Sequence, residues 1–148
     1  MIHVRHKAVA IVPVDLAFAH IDDYRNVPDW MFGITRFDPI SGLDQGLGAQ
    51  YDAVMQLGPK AMTSTVEITE WEQNRLITLS SVAGFGNRSS WQFTPIGDNE
   101  TELSVDFGYE LPGGLAGLAL GKLIEPFVVT AIRQTESSLR RQIEALNL

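Results

Sequence analysis

Few residues in this chain can do chemistry, and their spacing excludes most of what they could do. The three histidines are His3, His6 and His20. His3 and His6 lie three apart in strand-like text, so their side chains face opposite sides. None of the three has HExxH or comparable metal-ligand spacing. The chain has no cysteine, which rules out disulfides, zinc ribbons and a thiol nucleophile. No metal site is expected. Ser80–Ser81 and Ser89–Ser90 sit in strand-like stretches, without the GxSxG elbow that exposes a hydrolase nucleophile. The run "GLAGLALGK" superficially suggests a phosphate loop, but Leu123 stands where Ser or Thr would follow the lysine. The carboxylates Asp22, Asp23 and Asp29 gather at a short helical interruption, and Asp106 and Glu110 lie on a later strand. A general acid or base needs a pocket-facing group with a shifted pKa. Asp106 alternates with Val105 and Phe107 and should face water, so the set reads as solvated or capping carboxylates.

The elements that must position these groups follow from periodicity. Residues 3–12 read as a strand, with Val9 and Ile11 sharing a face. Pro13 opens a short helix, "PVDLAFAHIDD", and Pro28 limits "YRNVPDWM" to one further helical turn, leaving Trp30 and Met31 beside the break. From about residue 33 to 110 the apolar period is two. Six short strands separated by Gly-, Pro- and Asn-bearing turns predict an antiparallel meander. Leu103, Val105, Phe107 and Tyr109 share one face, as do Trp91 with Phe93, and Tyr51, Ala53 and Met55. Residues 114–146 predict a helix. Leu120, Leu123, Ile124, Phe127, Val128, Ala131, Thr135 and Leu139 form its apolar sector, and Lys122, Arg133, Glu136, Arg140 and Glu144 the charged one. Pro126 should kink or restart it.

Composition sets the outer limits. The chain has 148 residues, enough for one domain spanning 1–148. Net charge is −7, and no Lys/Arg run offers a nucleic-acid surface. The apolar stretch "YELPGGLAGLALGKLIEPFVVTAI" is long enough for a membrane span. However, Lys122 and Glu125 would sit mid-bilayer at roughly 2.5–3.5 kcal/mol each, so no span is expected. No secretory h-region opens the sequence, and the cytoplasm is the default location.

The order of motifs resembles the START-like superfamily, also called SRPBCC. Pro13, Phe18, Asp22, Asn26, Pro28 and Trp30 match its opening pattern. Gly46, Gly48 and Tyr51 in "GLGAQY" match its lead into the third strand. "SSWQFTPIGDNETELSVDFGYELPGG" is similar to its Trp-x-Phe-x-Pro strand, its Gly-Asp turn and its run into the last helix. The nearest branch is the polyketide cyclase/dehydrase-like one, with coenzyme-Q-binding proteins as neighbours. The resemblance implies an α+β helix-grip fold: a curved seven-stranded antiparallel sheet around a long C-terminal helix, with two short helices between strands 1 and 2. It also implies a hydrophobic small molecule, such as a lipid, isoprenoid or polyketide, held between sheet and helix without a cofactor. A non-catalytic binding protein is the first expectation, and a cyclase or dehydratase on the same scaffold the alternative. A weak homodimer is left open.

A curved sheet and a straight helix do not touch everywhere, so a pocket of about 300–1,000 Å³ is expected between them. Its candidate lining is Trp30, Phe32, Tyr51, Met55, Met62, Trp91, Phe93, Phe107, Tyr109, Leu123, Phe127 and Ala131. Polar anchors would be the Tyr51 and Tyr109 hydroxyls, the Trp91 indole N–H, Ser64 and Ser89. Arg36 and Arg88 are the basic groups near pocket strands, but Arg88 should face outward if Trp91 faces inward. A third reading docks a protein partner on the "VPDWMFGI" edge, which requires Trp30 to be exposed.

Overall fold

The computed structural model describes residues 2–31, 33–110 and 114–146, with the side chains of 57, 114–121 and 124 left aside. Phe32, the Pro112–Gly113 lead-in and the Leu120 and Ile124 side chains therefore lie outside the described residues.

The period-two text becomes β2 (Ile34–Pro39), β3 (Gln50–Leu57), β4 (Lys60–Glu72), β5 (Leu76–Gly84), β6 (Asn87–Gly97) and β7 (Glu100–Tyr109), and β1 spans Ile2–Ala10. All seven pair antiparallel in the order β1-β7-β6-β5-β4-β3-β2. The first strand thus returns to lie beside the last, at one edge of the meander. Register shifts in β2–β3, β4–β5 and β6–β7 mark irregularities that bend a sheet and increase its twist. Near one of them Gly84 holds a φ of +77°, where a side chain would collide with the Thr63 carbonyl.

The first strand ends a residue or two earlier than its text suggests, because Pro13 cannot join a ladder and α1 (Val14–Asp22) begins at once. Val9 and Ile11 do share a face, but it is the exposed one, and Ala10 and Val12 are fully buried. A single turn of 3₁₀ helix, Tyr24–Asn26, follows, capped by the Asp23 carboxylate accepting from the Arg25 N–H at 3.1 Å. The one-turn helix α2 (Val27–Trp30) then leads into β2.

The last helix, α3, runs from Gly114 to Ala145 through Pro126 without a restart. It crosses the concave face of the sheet and packs most closely on β1. Val128, Leu139 and Ile143 are almost completely buried there. The charged sector needs one correction. Glu136 is buried, with its carboxylate 3.2 Å from His6 Nε2 on β1 and 3.1 Å from Arg140 Nε. The wheel puts Glu136 away from the apolar stripe, but β1 is an edge strand running beside the helix and meets that flank. The architecture is the helix grip, and no described helix is long and apolar enough to cross a membrane.

Candidate functional site

The concave face is built by alternation. Trp91 and Phe93 on β6, Leu103, Val105, Phe107 and Tyr109 on β7, and Tyr51 and Ala53 on β3 are all buried. The side chains of the opposite phase turn outward: Asp106 binds His3 at 2.8 Å and Arg5 at 3.2 Å, and Arg88 binds Glu70 at 2.7 Å. Burial works to raise the Asp106 pKa, but the His3 and Arg5 hydrogen bonds outweigh it and hold the carboxyl below its usual value. Arg36 is likewise paired outside, with Asp38. No group of His, Asp or Glu able to hold a metal occurs among the described residues.

The expected pocket of several hundred cubic ångströms is not open in this structure. Between sheet and helices lie three narrow apolar voids of about 30, 20 and 30 Å³, each with room for a water molecule. The reason is the helical interruption. Trp30 is 2% exposed and crosses Trp91 edge-to-face at 5.2 Å, filling the concavity that the sheet and α3 leave. Buried Trp30 also removes the basis for the partner-docking edge. One void lies under α2 among Ile21, Asp22, Tyr24, Trp30, Tyr51 and Trp91. The second runs beneath α3 past Trp91, Phe107, Val128 and Ala131. The third lies over β3–β6 beside Phe37, Met55, Phe85 and Asn87. Met31 borders all three.

The polar atoms of this interior are unevenly satisfied. Tyr51 is buried in a stack with Phe37 at 4.5 Å, and its hydroxyl donates to the Asp44 carbonyl at 2.6 Å. Burial pushes its pKa well above the usual tyrosine value, with the Asp22 charge adding to the effect. Its anchor role is thus already filled from within the fold. Asn87 Nδ2 donates to the Phe85 carbonyl at 2.8 Å and to Ser64 Oγ at 3.2 Å, which engages Ser64 as well. By contrast, the indole nitrogens of Trp30 and Trp91 and the hydroxyl of Tyr109 are buried without any partner. Burial raises the Tyr109 pKa, and Glu125 on α3 raises it further.

Of the candidate residues, Trp30, Tyr51, Met55, Ser64, Ser89, Trp91, Phe107 and Ala131 border one or more of the voids. Phe93 is buried but packs on Phe18 at 5.2 Å, bordering none of the three. Met62 is partly buried against the same core, and Tyr109 lies beyond the voids beside Phe85. Leu123 and Phe127 are each 44% exposed, which corrects their placement in the covered sector. The Phe127 ring instead lies over the β3–β4 turn, where a Cβ on Gly58 would come within 2.5 Å of it. Met31, Phe37 and Asn87 join the lining without a sequence signal for it. Met31 and Asn87 sit next to turns, where no periodicity reveals a direction. Asp22 is a second departure from the sequence reading. It is not a solvated carboxylate, since it accepts the Trp71 indole N–H at 2.9 Å, and burial raises its pKa despite that bond.

A curved antiparallel sheet gripping one long helix over an apolar interior defines the START-like class of protein. More narrowly, the sequence pattern described as "Polyketide cyclase / dehydrase and lipid transport" matches residues 1–144, and the chain belongs to that family. Solved structures agree on the fold. The protein TTHA0849 of Thermus thermophilus has a TM-score of 0.83 at 18% identity, covering 99% of this chain and 100% of its own. The Zhui aromatase/cyclase from Streptomyces sp. R1128 has a TM-score of 0.79 at 15% identity, covering 97% and 93%. A START superfamily protein from Mycobacterium smegmatis has a TM-score of 0.78 at 15% identity, covering 97% and 98%. No curated protein matches the chain by sequence.

Proposed function

We propose that the chain binds, and by release transports, an uncharged hydrophobic small molecule between the concave sheet face and α3. The observation that carries this reading is Met31, whose side chain borders all three voids. Methionine is unbranched, with three rotatable bonds, and refills irregular space at little cost. Its rotation out of the interior would join voids that are individually too small for any ligand. An outward path exists, since an open groove of about 560 Å³ between α2 and α3 is also bordered by Trp30 and Met31. The lining is mainly apolar with a few polar groups, the composition expected of a lipid or polyketide site.

The test is native mass spectrometry of gently purified protein, followed by organic extraction. A stoichiometric apolar adduct is expected. Binding of long-chain probes should strengthen in Met31→Ala, which removes the partition. Unchanged binding in that variant, with no adduct in the wild type, would overturn the reading.

A cyclase or dehydratase is the second reading, and Asp22 favours it. This carboxyl borders the void under α2, and its raised pKa brings it closer to the range where a proton can be exchanged. Turnover of a poly-β-ketone that Asp22→Asn abolishes would establish it, and turnover unaffected by that change would remove Asp22 from any such role.

A further inference from the structure

We infer that the crossed indoles of Trp30 and Trp91 are a carbonyl-recognition site, so that the molecule held inside is uncharged and carries an acceptor oxygen. The inference rests on the apolar-binding reading above and adds the one polar function that such a ligand needs.

Buried polar groups in folded chains almost always have partners. Here Trp30 and Trp91 are 2% and 3% exposed, yet neither Nε1 has one. An indole N–H can only donate. The two rings meet at 5.2 Å and 85°. In that arrangement one ring turns its edge to the other's face, so at most one N–H can rest against a π-surface. At least one donor remains open.

Both indoles border the void under α2, where two other polar side chains already hold partners. The Tyr51 hydroxyl donates to the Asp44 carbonyl, and Asp22 accepts from Trp71. The buried Glu136 carboxylate borders none of the three voids. Glu136 Oε1, buried without a well-aligned hydrogen bond, lies 3.1 Å from Arg140 Nε. The void therefore presents two indole donors without partners, and the one carboxylate on its wall is Asp22. An alcohol or amine brings a donor of its own that only Asp22 could take, whereas a carbonyl or ether oxygen brings none to satisfy. A carboxylate would share the void with Asp22 and meet like charge. A cation could use the aromatic faces, but the indole N–H protons would oppose it. A ketone, ester or ether oxygen satisfies the inventory.

The third tryptophan makes the test internal to the molecule. Trp71 already donates to Asp22 at 2.9 Å, so its indole N–H is a bonded reference within the same chain. The full chain, labelled with ¹⁵N, is titrated with 2-nonanone and separately with nonane, and the three indole resonances are assigned from Trp30→Phe and Trp91→Phe. The ketone should move the Trp30 or Trp91 indole proton downfield and leave that of Trp71 in place, while nonane moves none downfield. In at least one of the two variants the affinity ratio of ketone to nonane should fall about tenfold. If both probes bind and no indole proton moves downfield, carbonyl recognition is wrong and apolar binding stands. If neither probe binds, both readings fail. Tighter binding of decyltrimethylammonium than of the ketone would replace the carbonyl with a cation.

Discussion

The two halves of α3, either side of Pro126, are held by different physics. Beyond it, the helix is fastened by polar bonds to three other elements. Glu136 faces His6 at 3.2 Å, Gln142 bonds His20 at 2.9 Å and the Asp29 carbonyl at 3.0 Å, and Glu144 accepts the Ile11 N–H at 2.8 Å. Leu139 and Ile143 are fully buried between these ties. Before it, Lys122, Leu123 and Glu125 are all exposed, as are Pro126 itself and Phe127 just after it. Proline removes the N–H that would bond the Lys122 carbonyl, so the hydrogen-bond ladder is weakest where the two regimes meet. The half beyond Pro126 both carries the fastening bonds and covers the void beneath α3.

The largest effect that would break this comparison is in the fastened half. Leu139→Ala should cost about 2–5 kcal/mol by urea denaturation, the range for a buried leucine, whereas Leu123→Ala should stay within about 0.5 kcal/mol. Equal losses would show that the two halves are one packing unit. Next comes Glu136→Gln, which removes the charge facing His6 and Arg140. A loss of about 1–3 kcal/mol is expected, with hydrogen exchange rising in the half after Pro126 more than before it.

Smaller, and informative about the stretch next to Pro126, is Gly58→Ala. The new methyl group would displace the Phe127 ring, and Gly58 holds a φ of +60°, so a loss of about 1 kcal/mol is expected. Exchange should quicken around Phe127 while protection at Leu139 is retained. A uniform change along α3 would contradict the division.

The smallest effect is a pH dependence at the interior end. Burial raises the Asp22 pKa above its usual value. Between the unfolded and folded pKa values the native state binds more protons than the unfolded chain, so the ionisation of Asp22 erodes stability as pH rises through that window. Asp22→Asn keeps an acceptor for Trp71 and cannot ionise. Its stability relative to wild type should therefore improve from pH 3 to pH 7, by a few tenths of a kcal/mol after allowance for partial exposure. A difference that is flat with pH would show that Asp22 ionises as freely in the fold as out of it.

Much of the fold could be read directly, because sheet alternation is a local signal. Leu103, Val105, Phe107 and Tyr109 point inward, and Asp106 and Arg88 outward, since each strand must put one face toward apolar neighbours. The site was less legible. Tyr51 reads as a free anchor, but the loop before β3 returns the Asp44 carbonyl to its hydroxyl. Glu136 reads as solvated because a helical wheel knows its own stripe and not the edge strand beside it. Met31 carries no direction at all, lying between a one-turn helix and a bulged strand.

Sequence alone determined the layers of this protein: which residues alternate, where the last helix begins, and which side of each strand must be dry. Those follow from backbone periods of 2 and 3.6, which act within a few residues. The tertiary structure decided how full the interior is and which of its polar atoms stay unpaired. Both depend on where Trp30 and Met31 enter the concavity from a turn some sixty residues away from Trp91, a distance along the chain over which no local pattern carries information.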